Sequence, residues 1–194
     1  SLSEMSPAEA PSQAKREKQI LLLTGSAHFM THLYELAFPA LALTVRDDLG
    51  WSLSEVLRLS FLMYLLFGVG ALPMGFLSDH WSSRRMVSVT MMGAGLGAVA
   101  VSMAQTQSQF IISLAFVGVC ISAYHPAGMS LLSRTMRERG RALGINGVFG
   151  NLGSATAPFL AGLLAWLWDW RVAYAALGLA GIVVGLYGWQ VRVD

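Results

Sequence analysis

The feature that most constrains this chain is where its charges are missing. Residues 59–78, 86–133, 142–168 and 172–191 contain no Asp, Glu, Lys or Arg. From Gln19 to Val45 there is one such residue, Glu35. A helix needs about 20 apolar residues to cross a bilayer. Four of these five stretches fit one crossing each, and 86–133 is long enough for two. Its middle, Ser102 to Gln109, is polar and reads as a loop. The pattern therefore predicts an all-α membrane protein with six helices, at roughly 20–45, 56–78, 86–104, 108–132, 141–167 and 171–190. Composition agrees: 55% of the 194 residues are apolar and only 12% charged, against about 45–50% and about 25% in soluble domains. So few charges cannot cover a soluble fold of this size. A disordered chain, a basic nucleic-acid-binding domain and a disulfide scaffold are excluded, since Cys120 stands alone. The first helix is no signal peptide, because its apolar part is too long and no small-residue cleavage site follows.

Lys and Arg set the expected orientation. Lys15, Arg16, Lys18, Arg84, Arg85, Arg134, Arg137, Arg139, Arg141 and Arg192 fall on one side of the six crossings. Arg46, Arg58 and Arg171 fall on the other, offset by Asp47, Asp48, Glu55 and Asp169. The positive-inside rule then puts both termini in the cytoplasm, as an even helix count requires. Residues 1–18 are polar with two prolines and read as a disordered cytoplasmic leader. Residues 19–191 form the membrane domain, and 192–194 begin a cytoplasmic loop.

No phosphate-binding loop is present. Gly144, Gly147, Gly150 and Gly153 recur at helix-packing spacing, with no Gly-Lys-Ser/Thr after them. Other segments carry more information. Gly75-Phe76-Leu77-Ser78-Asp79-His80-Trp81-Ser82-Ser83-Arg84-Arg85 closes the second helix. This loop resembles the signature loop of the major facilitator superfamily, in which the carboxylate and the basic residues latch cytoplasmic helix ends. Gly75, Asp79 and Arg84 match, with Arg85 beside them. Ser82 and Ser83 stand where the family usually has Gly and Arg, which weakens the expected latch. In the fifth helix, Gly144, Gly147, Gly150, Gly153, Pro158 and Gly162 resemble the family's antiporter-associated motif, with Ala157 and Ala161 in place of glycines. Small residues let helix backbones approach closely in lipid, and a proline can bend the helix.

The first helix carries a polar stripe. At about 100° per residue, Thr24, His28, Thr31, His32 and Glu35 share an arc of roughly 100°. Ionisable groups at membrane depth are costly and face a cavity or a partner. A lone histidine more often bonds a neighbouring helix, whereas two histidines and a glutamate on one face predict a water-filled pathway. The fourth helix adds Ser122 and His125, with Pro126 breaking it. Ala123-Tyr124-His125-Pro126-Ala127-Gly128, with His28, Tyr34 and Pro39, resembles the fosmidomycin-resistance-like branch of the superfamily. His32 stands where that branch carries an acidic residue, and Glu35, nearly one turn on, is the expected replacement. Many proton-coupled members have an arginine in the fourth helix, where this chain has no charge between Gln107 and Ser133. A proton relay would therefore rest on His28, His32, Glu35 and His125. Histidine's unperturbed pKa near 6.5 suits it to exchange protons near neutral pH.

The resemblance implies one half of a major facilitator fold, built as two inverted three-helix repeats. It implies a secondary transporter, not an enzyme, moving a small solute by alternating access. Proton coupling and antiport or efflux are expected. The membrane would be the bacterial inner membrane. His28, Thr31, His32, Tyr34, Glu35, Tyr64, Ser122, His125, Asn146 and Asn151 are candidates for the substrate and proton pathway. Pro39, Pro126, Pro158 and the glycines are candidates for packing and gating. No catalytic residue, cofactor or bound metal is expected, and no nucleic acid. The partners expected are the bilayer, a solute, protons, and a carboxy-terminal six-helix half or a second copy. Two readings of another class stay open: a haem- or metal-binding membrane protein using the intramembrane histidines, and a non-transporting structural subunit.

Overall fold

The computed structural model describes residues 9–192, with side chains from residue 13. Every regular element is a helix: α1 (Glu9–Leu49), α2 (Leu53–Leu59), α3 (Phe61–His80), α4 (Ser83–Met103), α5 (Gln107–Ser122), α6 (Tyr124–Thr135), α7 (Arg139–Leu167) and α8 (Trp170–Gln190). Among the described residues, five spans are long and apolar enough to cross a membrane: Leu53–His80, Ser83–Met103, Gln107–Thr135, Arg139–Leu167 and Trp170–Gln190. With its apolar helices the chain is an integral membrane protein. α1 does not reach the same apolarity, because His28, His32 and Glu35 stand in its middle.

The helix ends follow from local chemistry. α1 closes on Gly50, whose positive φ of 67° suits a residue without Cβ. Ser52 and Glu55 form a capping box that opens α2, as Thr106 and Gln109 do for α5. Asp169 caps α8 through the Val172 N–H, at 2.8 Å. Of the polar stretch expected as a loop, only Ala104, Gln105 and Thr106 lie outside helix.

Three boundaries differ from the sequence expectation. α1 begins at Glu9, so residues 9–18 are helical rather than a disordered leader; residues 1–8 lie outside the described residues. This segment is rich in helix formers, its proline falls in the first turn, and Glu17 lies 3.9 Å from Arg137. The second predicted helix divides at Ser60, whose hydroxyl bonds back to Leu57. The fourth divides at Ala123, three residues before Pro126. Proline has no N–H for the carbonyl four residues back, so the ladder breaks there and Pro126 falls in the first turn of α6.

The helices pack chiefly in three pairs: α4 with α8, α1 with α7, and α3 with α5. Small residues bring the first pair into backbone contact. A Cβ on Gly95 would lie 2.5 Å from the Gly178 carbonyl oxygen, and one on Gly178 would lie 2.7 Å from that of Gly95. Arginines tie both ends of this pair. Arg84, in the first turn of α4, donates to the Gly188 and Trp189 carbonyls at the end of α8, at 2.9 and 3.2 Å. Arg171, in the first turn of α8, donates to the Ser102 and Ala104 carbonyls at the end of α4, at 2.9 and 2.8 Å. Each guanidinium also lies over a tryptophan, Trp189 or Trp170. These bonds satisfy carbonyls that a helix end leaves without a partner.

Candidate functional site

The polar stripe of α1 meets α6 at His125 and α7 at Asn146. His28 is buried, with 7% of its surface exposed. Its Nδ1 lies 2.9 Å from the Asn146 carbonyl oxygen of α7. Its Nε2 lies 3.1 Å from the Nε2 of His32, one turn further along α1. His32 Nδ1 lies 2.7 Å from Glu35 Oε2. His125 of α6 completes the group, its ring centre 5.2 Å from that of His28 and 5.5 Å from that of His32. The side chains of His32 and Glu35 are 22% and 26% exposed, so the cluster opens on one side.

Bonding rules order the hydrogens. A carbonyl only accepts, so His28 Nδ1 carries a hydrogen, and in the neutral ring His28 Nε2 presents its lone pair. His32 Nε2 then donates to it. One further hydrogen lies between His32 Nδ1 and the Glu35 carboxyl. Without that hydrogen, a nitrogen lone pair would face a carboxylate. The result is a continuous chain from Asn146 through His28 and His32 to Glu35, able to hold or pass a proton.

Neighbours fix the geometry. Tyr124 stacks on His28 with ring centres 4.8 Å apart. Its buried hydroxyl donates to the Thr24 carbonyl at 2.8 Å and accepts from Asn146 Nδ2 at 2.8 Å. Tyr64 of α3 donates to the Glu35 carbonyl at 2.7 Å. Gly150 of α7 faces the His28 ring, and a Cβ there would lie 2.5 Å from Cε1.

The structure gathers His28, His32, Glu35, His125 and Asn146, with Tyr64 adjacent. Other candidates stand apart. The Thr31 hydroxyl bonds back to the Ala27 carbonyl at 2.8 Å. Tyr34 points the other way and donates to the Leu177 carbonyl of α8, at 2.8 Å. Ser122 donates to the Val119 carbonyl and packs where a Cβ on Gly70 would lie. Asn151 is exposed. Tyr124 is the participant that sequence reasoning passed over, although a buried tyrosine hydroxyl beside a histidine needs a partner. The haem alternative meets a geometric obstacle: His28 and His32 are in direct contact, leaving no room for a macrocycle between them.

The remaining candidates divide similarly. Asp79 approaches Arg134 of α6 at 3.8 Å, whereas Arg84 is engaged by α8. Arg84, Arg85 and Arg134 instead share the wall of a recess of about 410 Å³. Gly75 lies against Pro126. In α7, Gly150 and Gly153 meet α1. Gly144, Gly147 and Gly162 have nothing among the described residues within 4 Å of a built Cβ, so packing inside this domain does not account for them. α1 and α7 run unbroken through Pro39 and Pro158.

Known proteins resemble this chain in sequence or in fold. The chain is 26% identical over 173 residues to a probable L-galactonate transporter of Escherichia coli (strain K12), covering 88% of this chain and 38% of that protein. It is 28% identical over 180 residues to the nitrate/nitrite transporter NrtP of Nostoc punctiforme, covering 88% and 35%. It is 30% identical over 131 residues to a puromycin resistance protein of Streptomyces alboniger, covering 66% and 26%. The chain thus spans little more than a third of the length of the first two relatives. The crystal structure of a bacterial homologue of the human lysosomal transporter Spinster, inward-facing and unoccupied, superposes with a TM-score of 0.80 at 16% identity, covering 91% of this chain and 43% of that one. The sequence profile of the Major Facilitator Superfamily matches residues 21–193, and the chain belongs to that family.

Proposed function

We propose that the full-length protein is a proton-coupled secondary transporter, and that His28, His32, Glu35 and His125 form its proton-handling site. The observation that carries this reading is the unbroken hydrogen-bonded chain from Asn146 to Glu35, at the partly open face of the cluster. Ionisable groups are expensive inside a membrane and belong where protons or solutes pass. Relatives named as transporters support the same reading.

The family's mechanism needs a second six-helix half, with the solute between the halves and access alternating as they rock. A partner half suits the apolar face that α3 leaves uncovered at Phe61, Leu65, Val69, Leu72 and Phe76. It also suits the unpacked Gly144, Gly147 and Gly162 of α7. The pairing of helices supports the inverted repeat: the first crossing packs on the fifth as the fourth packs on the second, and Arg84 and Arg171 swap roles at the two ends of α4 and α8. We read both termini as cytoplasmic and the membrane as a bacterial inner membrane, from the arginine distribution. Exchange of a solute against protons follows from the α7 motif, and the fosmidomycin-resistance-like branch from the His-Pro of α6.

The test is flux in proteoliposomes holding the full-length protein under an imposed pH gradient. L-galactonate, nitrate and puromycin, the compounds named in its relatives, are the first solutes to assay. Proton-driven flux of one of them should fall at least tenfold in Glu35→Gln, about 1.4 kcal/mol of lost coupling. Undiminished flux in that variant removes Glu35 from the mechanism.

A further inference from the structure

The same histidines have a second property that transport does not require. His28 and His32 are spaced i, i+4 on α1, as the two metal-binding histidines of a zinc-protease helix are. Their Nε2 atoms face each other at 3.1 Å. His125 brings a third imidazole from α6, and one ring nitrogen from each of the three lies within 4.8 Å of the other two. A tetrahedral cation with metal–nitrogen bonds of about 2.0–2.1 Å holds its ligands roughly 3.4 Å apart. The α1 pair is already close to that spacing. The widest pair must close by roughly 1.4 Å, a swing well within reach of an imidazole turning about its Cα–Cβ bond.

The outer partners are also in place. A metal-bound imidazole typically donates its other N–H to a carbonyl or carboxylate, which fixes the ring. His28 Nδ1 faces the Asn146 carbonyl, and His32 Nδ1 faces the Glu35 carboxylate. Both rings are thus turned with Nε2 inward and Nδ1 held. From this geometry we infer that His28, His32 and His125 form a binding site for a divalent transition-metal cation of the class imidazole prefers: zinc, cobalt, nickel or copper. The cation takes the place of the hydrogen between the two Nε2 atoms. Three protein ligands leave a fourth position for water or a chelating solute. Tyr64, Tyr124 and Glu35 surround the group without supplying one of the three nitrogens.

The experiment uses full-length, tag-free protein in detergent with Co²⁺ as the probe. His80, exposed at the end of α3, is replaced (His80→Gln) to remove a surface ligand. This protein is expected to bind one Co²⁺ with the visible absorption of a tetrahedral site. Cobalt-edge X-ray absorption should count three imidazoles at about 2.0–2.1 Å. His125→Gln on that background should weaken binding by more than about 100-fold. Glu35→Gln, which keeps all three ligands, should weaken it by roughly 10–100-fold. Absence of saturable binding, one imidazole or none, or unchanged affinity in His125→Gln overturns the assignment. If His125→Gln does not fold, the imidazole count on the His80→Gln protein decides alone. None of these readings depends on flux, so the site can fail while the transport proposal stands.

Discussion

The contact between α4 and α8 and the contact of α1 with α6 and α7 use similar small residues for opposite ends. Gly95 and Gly178 bring two backbones together and leave no room for a side chain. Among the described residues, the strong polar ties of that pair are the arginines at its ends. In the α1 contact, Gly150 makes equivalent room, and the His28 ring fills it. Lipid offers no hydrophobic drive between helices, so close packing must hold the first pair. The second contact accepts ionisable groups at membrane depth: His28, His32 and Glu35 are joined by hydrogen bonds, and His125 packs its ring against the two histidines. One region is built for rigidity, and the other keeps a hydrogen-bonded chain partly open.

Substitutions should separate these roles. Gly178→Leu forces side-chain atoms into the α4 backbone and should destabilise the fold most, by about 3 kcal/mol, read as loss of monodisperse protein or a lowered unfolding temperature in detergent. Gly150→Ala tests the other contact. Its methyl group displaces the His28 ring, so proton-driven flux should fall severalfold while the fold loses only about 1 kcal/mol. A fall in stability as large as that of Gly178→Leu would erase the distinction between the two regions. Arg171→Ala and Arg84→Ala each strip two helix-end carbonyls of a charged donor and should cost about 1 kcal/mol apiece in thermal unfolding. Because the two arginines occupy related positions, unequal losses would weaken the case for an inverted repeat. The smallest effect is expected for Asp79→Asn. Its pairing with Arg134 is long, with both side chains exposed, so the unfolding temperature should not move measurably.

Much of this was readable from residue order, because membrane helices are long and their charges sparse. Five apolar spans follow from the charge-free runs, and the break before Pro126 from proline chemistry. The division at Ser60 has no such signal, since no proline or glycine stands there. The stripe on α1 was readable as a periodicity, but a periodicity does not say which polar groups are already satisfied. Thr31 shares the arc of His28 and His32 yet spends its hydroxyl on its own helix. Tyr34 lies about 120° round from His28 and belongs to the α8 contact. Asn151 is about 140° from Asn146 on α7, so both could not reach one site. Tyr124 and the Asn146 carbonyl became visible only when three helices were brought together.

The central claim is that the His28–His32–Glu35 chain carries the coupling proton. The most direct measurement is proton movement into sealed proteoliposomes, read by an enclosed pH-sensitive dye, when the transported solute is added outside or inside. Solute exchange without a gradient is followed in parallel. The wild-type protein should move protons with solute, and Glu35→Gln should keep the exchange and lose at least nine-tenths of the proton signal. Equal proton signals in the two proteins would contradict the account.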